Sequence, residues 1–414
     1  MTPEQQDLQA PGNAGQDTPP ADALRLLALL PSIPLGGMER AALRVMQEMR
    51  SRGALVHVLT NRRWGEKVRA EVAAAGLEQS GIAHIASLGR PRSWTEWRAT
   101  AVSFLVTGFE LMRAHRQHRA NALLAPCLHV AWFARGVARR PDNVSIFRVP
   151  NPPILERQGI RAKIDRAVWR SVGANFDYIV CNSHYTASLV SKITGQSDDV
   201  LVVRNFAPNL NRQIKTLAPT LPTGRRRVVF LGQIAANKGV DVLFEAARLI
   251  LPDRHDLDFV LAGPEFYRDP FRSHLDARIE EAGLGDRFRM IGSIDDVQGL
   301  LRQGDVHVCP SISPADSFPN VVLDAKQASL PTVAFPTAGL PEAVEHGVDG
   351  LVTVDYSPEA LAQALASLVD DPEKRRSMGA AAYASLERFE PARLSERWLQ
   401  LFRGVSEGEQ GRVT

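Results

Sequence analysis

The sequence predicts an α/β protein built from two Rossmann-like domains. Two observations predict this class. Short apolar runs of strand length alternate with helical patterns along most of the chain, which is typical of parallel sheets covered by helices on both faces. In addition, the 414 residues exceed what one ordinary core holds, so two domains of roughly 150 to 200 residues each are expected.

The composition is that of a globular protein, with 44% hydrophobic and 23% charged residues. Cys127, Cys181 and Cys309 lie far apart in apolar runs, and this odd, scattered set predicts reduced thiols in a cytosolic protein instead of disulfides or a zinc site. Residues 1–20 lack the basic start and apolar centre of a signal peptide and are predicted to form a disordered tail. No apolar run approaches the roughly 18 residues that a membrane span needs.

Positive charge is concentrated in the first half of the chain. Residues 21–215 hold 28 Lys and Arg against 14 Asp and Glu, whereas residues 216–414 hold 21 against 29. This asymmetry suggests that the first half meets an anionic partner, although solvated helix faces would also explain it. Nucleic acid is the less expected partner, because the basic runs lack interleaved aromatics and no DNA- or RNA-binding motif is present. An anionic membrane surface or a diphosphate-linked acceptor fits better.

The first domain is predicted to span residues 21–215. Its first apolar run is followed by Gly36 and Gly37, which let the backbone approach a ligand at the edge where open α/β sheets bind substrates, although a tight turn alone would also explain them. His129 and Arg148 lie near the ends of later strands, and for His129 packing in the core is the favoured alternative. The strands are predicted at residues 24–30, 55–60, 82–86, 122–124, 144–149, 178–181 and 200–203.

A segment rich in Pro, Asn and Thr separates the two halves, and residues 216–227 are predicted to form the linker. The second domain is predicted to span residues 228–388. Its strands are predicted at residues 228–232, 259–263, 288–292, 306–309, 332–335 and 351–354, and its connecting helices at about 239–251, 271–283, 295–303 and 319–329.

The stretch from Asp305 to Gly350 contains a strand, a Ser/Pro loop and a helix that begins at about Pro319. The free N–H groups of a helix's first turn and its macrodipole favour a phosphate placed there. Two carboxylates, Asp316 and Asp324, flank that position. Such units are also ordinary parts of α/β proteins, so this stretch alone does not establish a ligand.

Several segments together resemble the signature of a known enzyme family. They are ADSFPNVVLDA followed by LPTVAF, then AGLPEAVEHGVDGLV, and earlier VVFLGQIAANKGVDVLFEAARLI; IPLGGMERAALRVMQEMRSRG matches more loosely. Over most of residues 24–404 the chain resembles the retaining GT-B glycosyltransferases of family 4, the glycosyl transferases group 1. The resemblance implies the GT-B fold, in which two Rossmann-like domains face each other across a cleft. It also implies that residues 389–414 form a helix that crosses back to the first domain.

The resemblance implies roles for individual positions. Lys238 would neutralise the donor diphosphate, as Lys and Arg do in metal-independent enzymes. Asp324 would hold the ribose hydroxyls, and Asp316 and His129 would contact the donor sugar. The implied catalytic residues are Lys238, Asp316 and His129, and the implied donor-binding residues are Gly36, Gly37, Gln233, Lys238, Gly292, Ser293, Asp316, Phe318, Asn320, Val321 and Asp324.

Three positions depart from the family pattern. Gln233 stands where the family usually has an Arg, which removes one positive charge from the phosphate site; Arg148 and Arg204 are candidate substitutes. Asp316 and Asp324 stand where the family has Glu. Each side chain is one methylene shorter, and a displacement of about 1 Å can cost about a hundredfold in rate.

The resemblance therefore implies a metal-independent enzyme without a cofactor. It would move a sugar, with retention, from a nucleotide-diphosphate donor to a saccharide or lipid-linked acceptor. Polysaccharide or glycolipid synthesis at the cytoplasmic face of the cell membrane is the expected setting. Glycoside hydrolysis is disfavoured, because the two carboxylates lie in a nucleotide-type loop beside a Lys. A GT-B epimerase or phosphorylase remains an alternative, as does a non-catalytic nucleotide-sugar binding protein, which the three departures make credible.

Overall fold

The computed structural model describes residues 23–30, 37–61, 66–82, 94–155, 158–207, 217–265 and 270–404. Gly36 and residues 1–20, which carry two of the predictions above, lie outside these ranges. Within them the chain forms two sheets, each made of parallel strands with helices between them.

The first sheet contains seven strands within the described residues, in the order β3-β2-β1-β4-β5-β6-β7. Its strands are β1 Arg25–Leu30, β2 Leu55–Asn61, β3 Glu78–Ile82, β4 Ala122–Ala125, β5 Val144–Val149, β6 Tyr178–Cys181 and β7 Val200–Val202. The helices of this part are α1 Gly37–Ser51, α2 Glu66–Ala74, α3 Trp94–Gln117, α4 Leu128–Ala138, α5 Gly159–Gly173 and α6 His184–Thr194. The central strands are buried on both faces, which is why they read as continuous apolar runs.

The second sheet has the order β10-β9-β8-β11-β12-β13. Its strands are β8 Arg226–Leu231, β9 Leu257–Ala262, β10 Phe288–Met290, β11 Val306–Cys309, β12 Thr332–Ala334 and β13 Gly350–Val352. The helices are α7 Val240–Ile250, α8 Phe271–Glu281, α9 Val297–Leu301, α10 Asn320–Gln327, α11 Leu340–Ala343, α12 Pro358–Val369, α13 Pro372–Ala384 and α14 Pro391–Phe402. Three 3-10 turns lie at Ala236–Lys238, Leu251–Asp253 and Ser385–Phe389.

Strand order reverses between β1 and β4 in the first sheet and between β8 and β11 in the second. In open parallel sheets, ligands bind beyond the carboxyl ends of the strands at such reversals. The loops that follow β5, β6 and β11 contact one another across the two domains: Ser317 Oγ donates to Pro150 O at 2.6 Å and to Asn182 Oδ1 at 2.9 Å. The carboxyl edges of the two sheets therefore face each other, and they bound the cleft.

Several strand boundaries differ from the sequence prediction, those of β3 and β8 among them. The strand predicted at residues 82–86 lies at Glu78–Ile82, and residues 83–86 are outside the described ranges. Strand β8 begins at Arg226, inside the range assigned to the linker. The reason is an ion pair: Arg227 is buried and its Nε and Nη2 donate to the carboxylate of Asp258 at 2.8 and 2.9 Å. The paired charge lets arginine occupy the start of a core strand.

The last helix, α14, packs against the first sheet. Trp398 and Phe402 belong to the same hydrophobic core cluster as Leu26 of β1 and Leu124 of β4. At the exposed side of this contact, Arg52, which directly follows α1, forms an ion pair of 2.9 Å with Glu396 of α14. The end of the described chain thus lies on the first domain.

All three cysteines are buried and free. Burial raises the pKa of each thiol to about 12. Thiols with so high a pKa are protonated at neutral pH and behave as small hydrophobic side chains. Among the helices of the described residues, none combines the length and hydropathy that crossing a bilayer requires.

Candidate active site

The loop after β8 brings a lysine to the edge of the second sheet. Residues Ala236–Lys238 form a single 3-10 turn, and Gly239 follows with a φ of +69°. A Cβ at Gly239 would lie 1.8 Å from Pro310 O, so glycine allows this turn to approach the loop after β11. The N–H of Ile312 in that loop donates to Asn237 O at 3.2 Å. This packing fixes the lysine at the point where the strand order reverses.

Lys238 and Asp316, both predicted to be catalytic, form an ion pair. Nζ of Lys238 lies 2.5 Å from Oδ1 and 2.7 Å from Oδ2 of Asp316. The hydroxyl of Ser311 also donates to Asp316. The two charged side chains are 25% and 15% exposed, so both still reach the cleft solvent. The sequence predicts a sugar contact for Asp316, whereas in this structure its carboxylate holds the lysine.

The N-terminus of α10 lies beside this pair and contacts the first domain. Pro319 at the N-cap has no N–H, and within the described residues no side chain caps the helix, so the first-turn N–H groups of Asn320 and Val321 are available to an anion. Asn320 Nδ2 donates to Gly37 O at 3.1 Å. The predicted glycine turn and the predicted phosphate-binding helix therefore meet across the cleft.

The other predicted donor contacts lie along the same edge. Asp324 is partly exposed and stands near the middle of α10. Gly292, with a φ of +74°, and the exposed Ser293 follow β10, in the loop expected to contact the base. Gln233 is partly exposed and lies two residues after the end of β8. Gln233, Gly292 and Ser293 thus lie at the carboxyl edge of the second sheet, and Asp324 lies on the helix that follows β11.

Phe318 differs from this group. Its side chain is 3% exposed and packs in a core cluster with Phe389, with ring centroids 5.6 Å apart. Its carbonyl accepts a hydrogen bond from Asn205 Nδ2 at 3.1 Å. The buried ring leaves only the backbone of Phe318 for the predicted donor contact.

Arg148 is part of a polar chain that joins the domains. Its Nη2 donates to Asn205 Oδ1 at 2.9 Å, and Asn205 Nδ2 donates to Asn320 Oδ1 at 2.8 Å. The guanidinium is buried, and burial lowers the pKa of Arg148 to about 10, an effect that the nearby carboxylate of Glu39 opposes. As placed here, Arg148 holds Asn205 and α10 instead of presenting its charge to the cleft, so the predicted substitution for the missing family arginine does not fit this arrangement.

His129 stands at the start of α4 in the first domain. Its Nε2 lies 3.6 Å from Cys127 Sγ. Burial lowers the pKa of His129, and the carboxylate of Glu39 counteracts part of that effect. A neutral imidazole at neutral pH can accept or donate a hydrogen bond, as the predicted sugar contact requires.

Glu342 joins the two domains through a helix N-terminus. Its Oε2 and Oε1 accept hydrogen bonds from the N–H groups of His184 and Tyr185, at 2.9 and 2.8 Å, in the first turn of α6. Arg204 Nη2 lies 3.5 Å from Glu342 Oε2. Arg204, the second candidate for the missing family arginine, therefore has a carboxylate partner in this closed arrangement.

Replacing Glu342 with alanine is expected to open the cleft. The change removes two charge-assisted hydrogen bonds of roughly 1.5–3 kcal/mol each, so the ratio of open to closed molecules should rise by at least about tenfold. Small-angle X-ray scattering would show a larger radius of gyration, and Glu345→Ala, three residues away at an exposed position, is the control. An unchanged scattering curve for Glu342→Ala would show that this contact does not hold the domains together.

The residues that join the domains were not predicted from the sequence. Ser317, Asn182 and Asn205 are buried at the contact between the two edges, and each makes a hydrogen bond described above. Glu342 lies in the segment AGLPEAVEHGVDGLV, which carries no local signal for a contact with α6. A local signal existed for α6 alone, because Ser183 before it is a good N-cap residue and accepts from Thr186 N.

Three features define the class of protein: two parallel sheets, carboxyl edges that face each other, and a lysine beside an uncapped helix N-terminus. The protein has the GT-B fold, as predicted. The family description "Glycosyltransferase Family 4" matches residues 35–208, and "Glycosyl transferases group 1" matches residues 212–385. The chain therefore belongs to the family 4 glycosyltransferases, which confirms the resemblance read from its motifs.

Relatives with assigned names agree with this membership. A D-inositol 3-phosphate glycosyltransferase of Paenarthrobacter aurescens is 30% identical over 208 residues, which are 49% of this chain and 50% of the relative. An alpha-D-kanosaminyltransferase of Streptomyces kanamyceticus is 32% identical over 36% of this chain and 38% of its own. The chain thus spans about half the length, or less, of these two relatives.

Solved structures with the same fold cover more of the chain. Anabaena HepE, crystallised with UDP and glucose, has a TM-score of 0.75 at 17% identity and covers 92% of this chain and 100% of its own. The sucrose-phosphate synthase of Thermosynechococcus elongatus has a TM-score of 0.75 at 15% identity, covering 92% and 99%. At these identities the likeness shows the fold.

Proposed function

We propose that this protein transfers a sugar from a nucleotide-diphosphate donor to a hydroxyl acceptor, with retention of configuration and without a metal ion. The observation that carries the proposal is the position of Lys238 beside the uncapped N-terminus of α10, at the strand reversal of the second sheet. A cation and a helix N-terminus together stabilise the negative charge that develops on a leaving diphosphate.

Donor binding would exchange one anion for another at Lys238. The lysine is now neutralised by Asp316, and a diphosphate of higher charge would compete for the same Nζ. Asp324 would receive the ribose hydroxyls, and the loop at Gly292 and Ser293 would receive the base. HepE was crystallised with UDP and with UDP-glucose, which makes these compounds the first probes.

The acceptor would enter from the first domain. The excess of Lys and Arg in residues 21–215 favours an anionic acceptor, such as a lipid-linked diphosphate saccharide at the cytoplasmic leaflet. The name of the Paenarthrobacter relative points to a phosphorylated polyol as another anionic acceptor. In a retaining reaction of this type, the leaving diphosphate itself accepts the proton of the acceptor hydroxyl.

A non-catalytic nucleotide-sugar binding protein is the second candidate. The observation that favours it is the mutual neutralisation of Lys238 and Asp316, combined with Gln233 in place of the family arginine. Such a protein would bind donor and leave it intact.

Incubation of the protein with UDP-glucose and a panel of other nucleotide sugars decides between the two candidate functions. Each donor is tested alone, with inorganic phosphate, and with lipid-linked and phosphorylated acceptors. Mass spectrometry of the products separates transfer from epimerisation and phosphorolysis, and NMR coupling constants give the anomeric configuration. We expect transfer with retention. Tight donor binding without turnover across all acceptors would instead establish the second candidate.

A further inference from the structure

An apolar and basic surface on the first domain has no role in the donor site. We call it the α5 surface. It consists of Ile154 and Leu155 in the segment after β5, and of Ile160, Lys163, Ile164, Arg166 and Arg170 on α5.

The isoleucine side chains of the α5 surface are highly exposed to solvent. Ile160 is 75% exposed, Ile164 is 56% exposed and Ile154 is 55% exposed. Single exposed apolar residues are ordinary, but Ile160 and Ile164 are four residues apart and so share one face of the helix. The opposite face of α5 carries Trp169 and Val172, which pack in the core. The fold therefore does not require isoleucine on the outer face.

The basic residues line the same half of the helix. At 3.6 residues per turn, Lys163, Arg166 and Arg170 fall in a row next to Ile160 and Ile164. All three basic residues are exposed. An apolar row beside a basic row is the arrangement of helices that lie in the plane of a membrane interface, with apolar side chains among the acyl chains and cations at the headgroups.

The α5 surface begins at the rim of the cleft. Pro150 follows β5, and its carbonyl accepts the hydrogen bond from Ser317 of the second domain. Ile154 is four residues further along, hence within about 14 Å of that contact. A ligand anchored in front of this surface would stand at the entrance to the site.

We propose that the α5 surface docks on an anionic lipid bilayer and presents the cleft to acceptors held in that bilayer. Charge complementarity selects this occupant: the domain that carries the surface holds twice as many basic as acidic residues, 28 against 14 in residues 21–215. The link to acceptors rests on the proposed function, whereas docking itself does not.

Vesicle sedimentation tests the docking. We expect the protein to bind vesicles of phosphatidylglycerol and phosphatidylcholine more tightly than pure phosphatidylcholine, with binding that weakens as salt rises. Ile160→Ser/Ile164→Ser and Lys163→Gln/Arg166→Gln should each lower the partition coefficient by about tenfold or more. The matched controls are Leu249→Ser, whose side chain is 53% exposed on α7, and Arg302→Gln, exposed at the end of α9. Both should bind like the unmodified protein.

Two outcomes would overturn the docking. One is vesicle binding that is equal for both lipid compositions or unchanged in both double variants. The other is that the unmodified protein does not bind vesicles, forms a dimer by light scattering, and becomes a monomer in the Ile160→Ser/Ile164→Ser variant. The α5 surface would then join two copies of the chain.

Transfer to a water-soluble acceptor, measured on the same variants, separates docking from catalysis. If the variants lose vesicle binding but transfer normally, the surface acts in docking alone, as proposed. If no protein transfers sugar but the unmodified one still binds anionic vesicles through these residues, the proposed function fails and the docking inference stands.

Discussion

Replacing Lys238 with alanine is expected to lower kcat for sugar transfer by about 10²–10³-fold. Removing one preorganised group that stabilises a developing negative charge has an effect of this size. The change also leaves Asp316 without its 2.5 Å partner, so a carboxylate would then face the diphosphate and repel it. Steady-state kinetics with the donor identified by the product screen would measure both kcat and KM.

Two further variants sharpen that experiment. Lys238→Arg keeps the charge and should recover part of the lost rate, although the guanidinium is larger and planar. Lys374→Ala, on α13 and outside the site, should transfer at the normal rate. A kcat for Lys238→Ala within threefold of that of the unmodified protein would show that Lys238 does not stabilise the leaving diphosphate.

Replacing Asp258 with alanine is expected to reduce the free energy of unfolding by about 3–5 kcal/mol. The carboxylate is fully buried and accepts from Arg227 at two positions and from Arg289 Nη2 at 2.9 Å. Without it, the buried guanidinium of Arg227 has lost its counter-charge, and an uncompensated buried charge costs this much. Urea unfolding followed by circular dichroism would measure the loss, since urea does not screen ion pairs as guanidinium chloride does.

The matched control for that change lies two residues earlier in the chain. Asp256 also pairs with an arginine, Arg254, at 2.9 Å, but its side chain is 51% exposed. Exposed ion pairs contribute about 0–1 kcal/mol, so Asp256→Ala should unfold almost as the unmodified protein does. Equal losses for the two variants would mean that burial of the Arg227–Asp258 pair is not what makes it important.

The sequence predicts most of the second sheet because its signals are local. Strand β11 is a short and mainly apolar run, and the lysine and the helix N-terminus each lie in the connection that follows a strand. The start of β8 was misassigned because Arg226 and Arg227 look like exposed linker residues. The burial of Arg227 depends on Asp258, and this pairing is a contact between strands that is not visible in a local window.

The contacts between the domains could not be predicted for a related reason. Glu342 caps a helix that lies 158 residues earlier in the chain, and Ser317 contacts a carbonyl 167 residues away. Such contacts depend on how the two domains meet. A glutamate or a serine in the sequence does not indicate that arrangement. Asp316 illustrates a smaller difference: its position was predicted, but its pairing with Lys238 and Ser311 was not.

A crystal structure with the nucleoside diphosphate that stabilises the protein best would test the central claim most directly. The claim is that Lys238 and the N-terminus of α10 bind the diphosphate. It predicts that Lys238 Nζ leaves Asp316 for a phosphate oxygen, that the N–H groups of Asn320 and Val321 point at the diphosphate, and that Asp324 binds the ribose. A diphosphate bound elsewhere, with the Lys238–Asp316 pair unchanged, would contradict it.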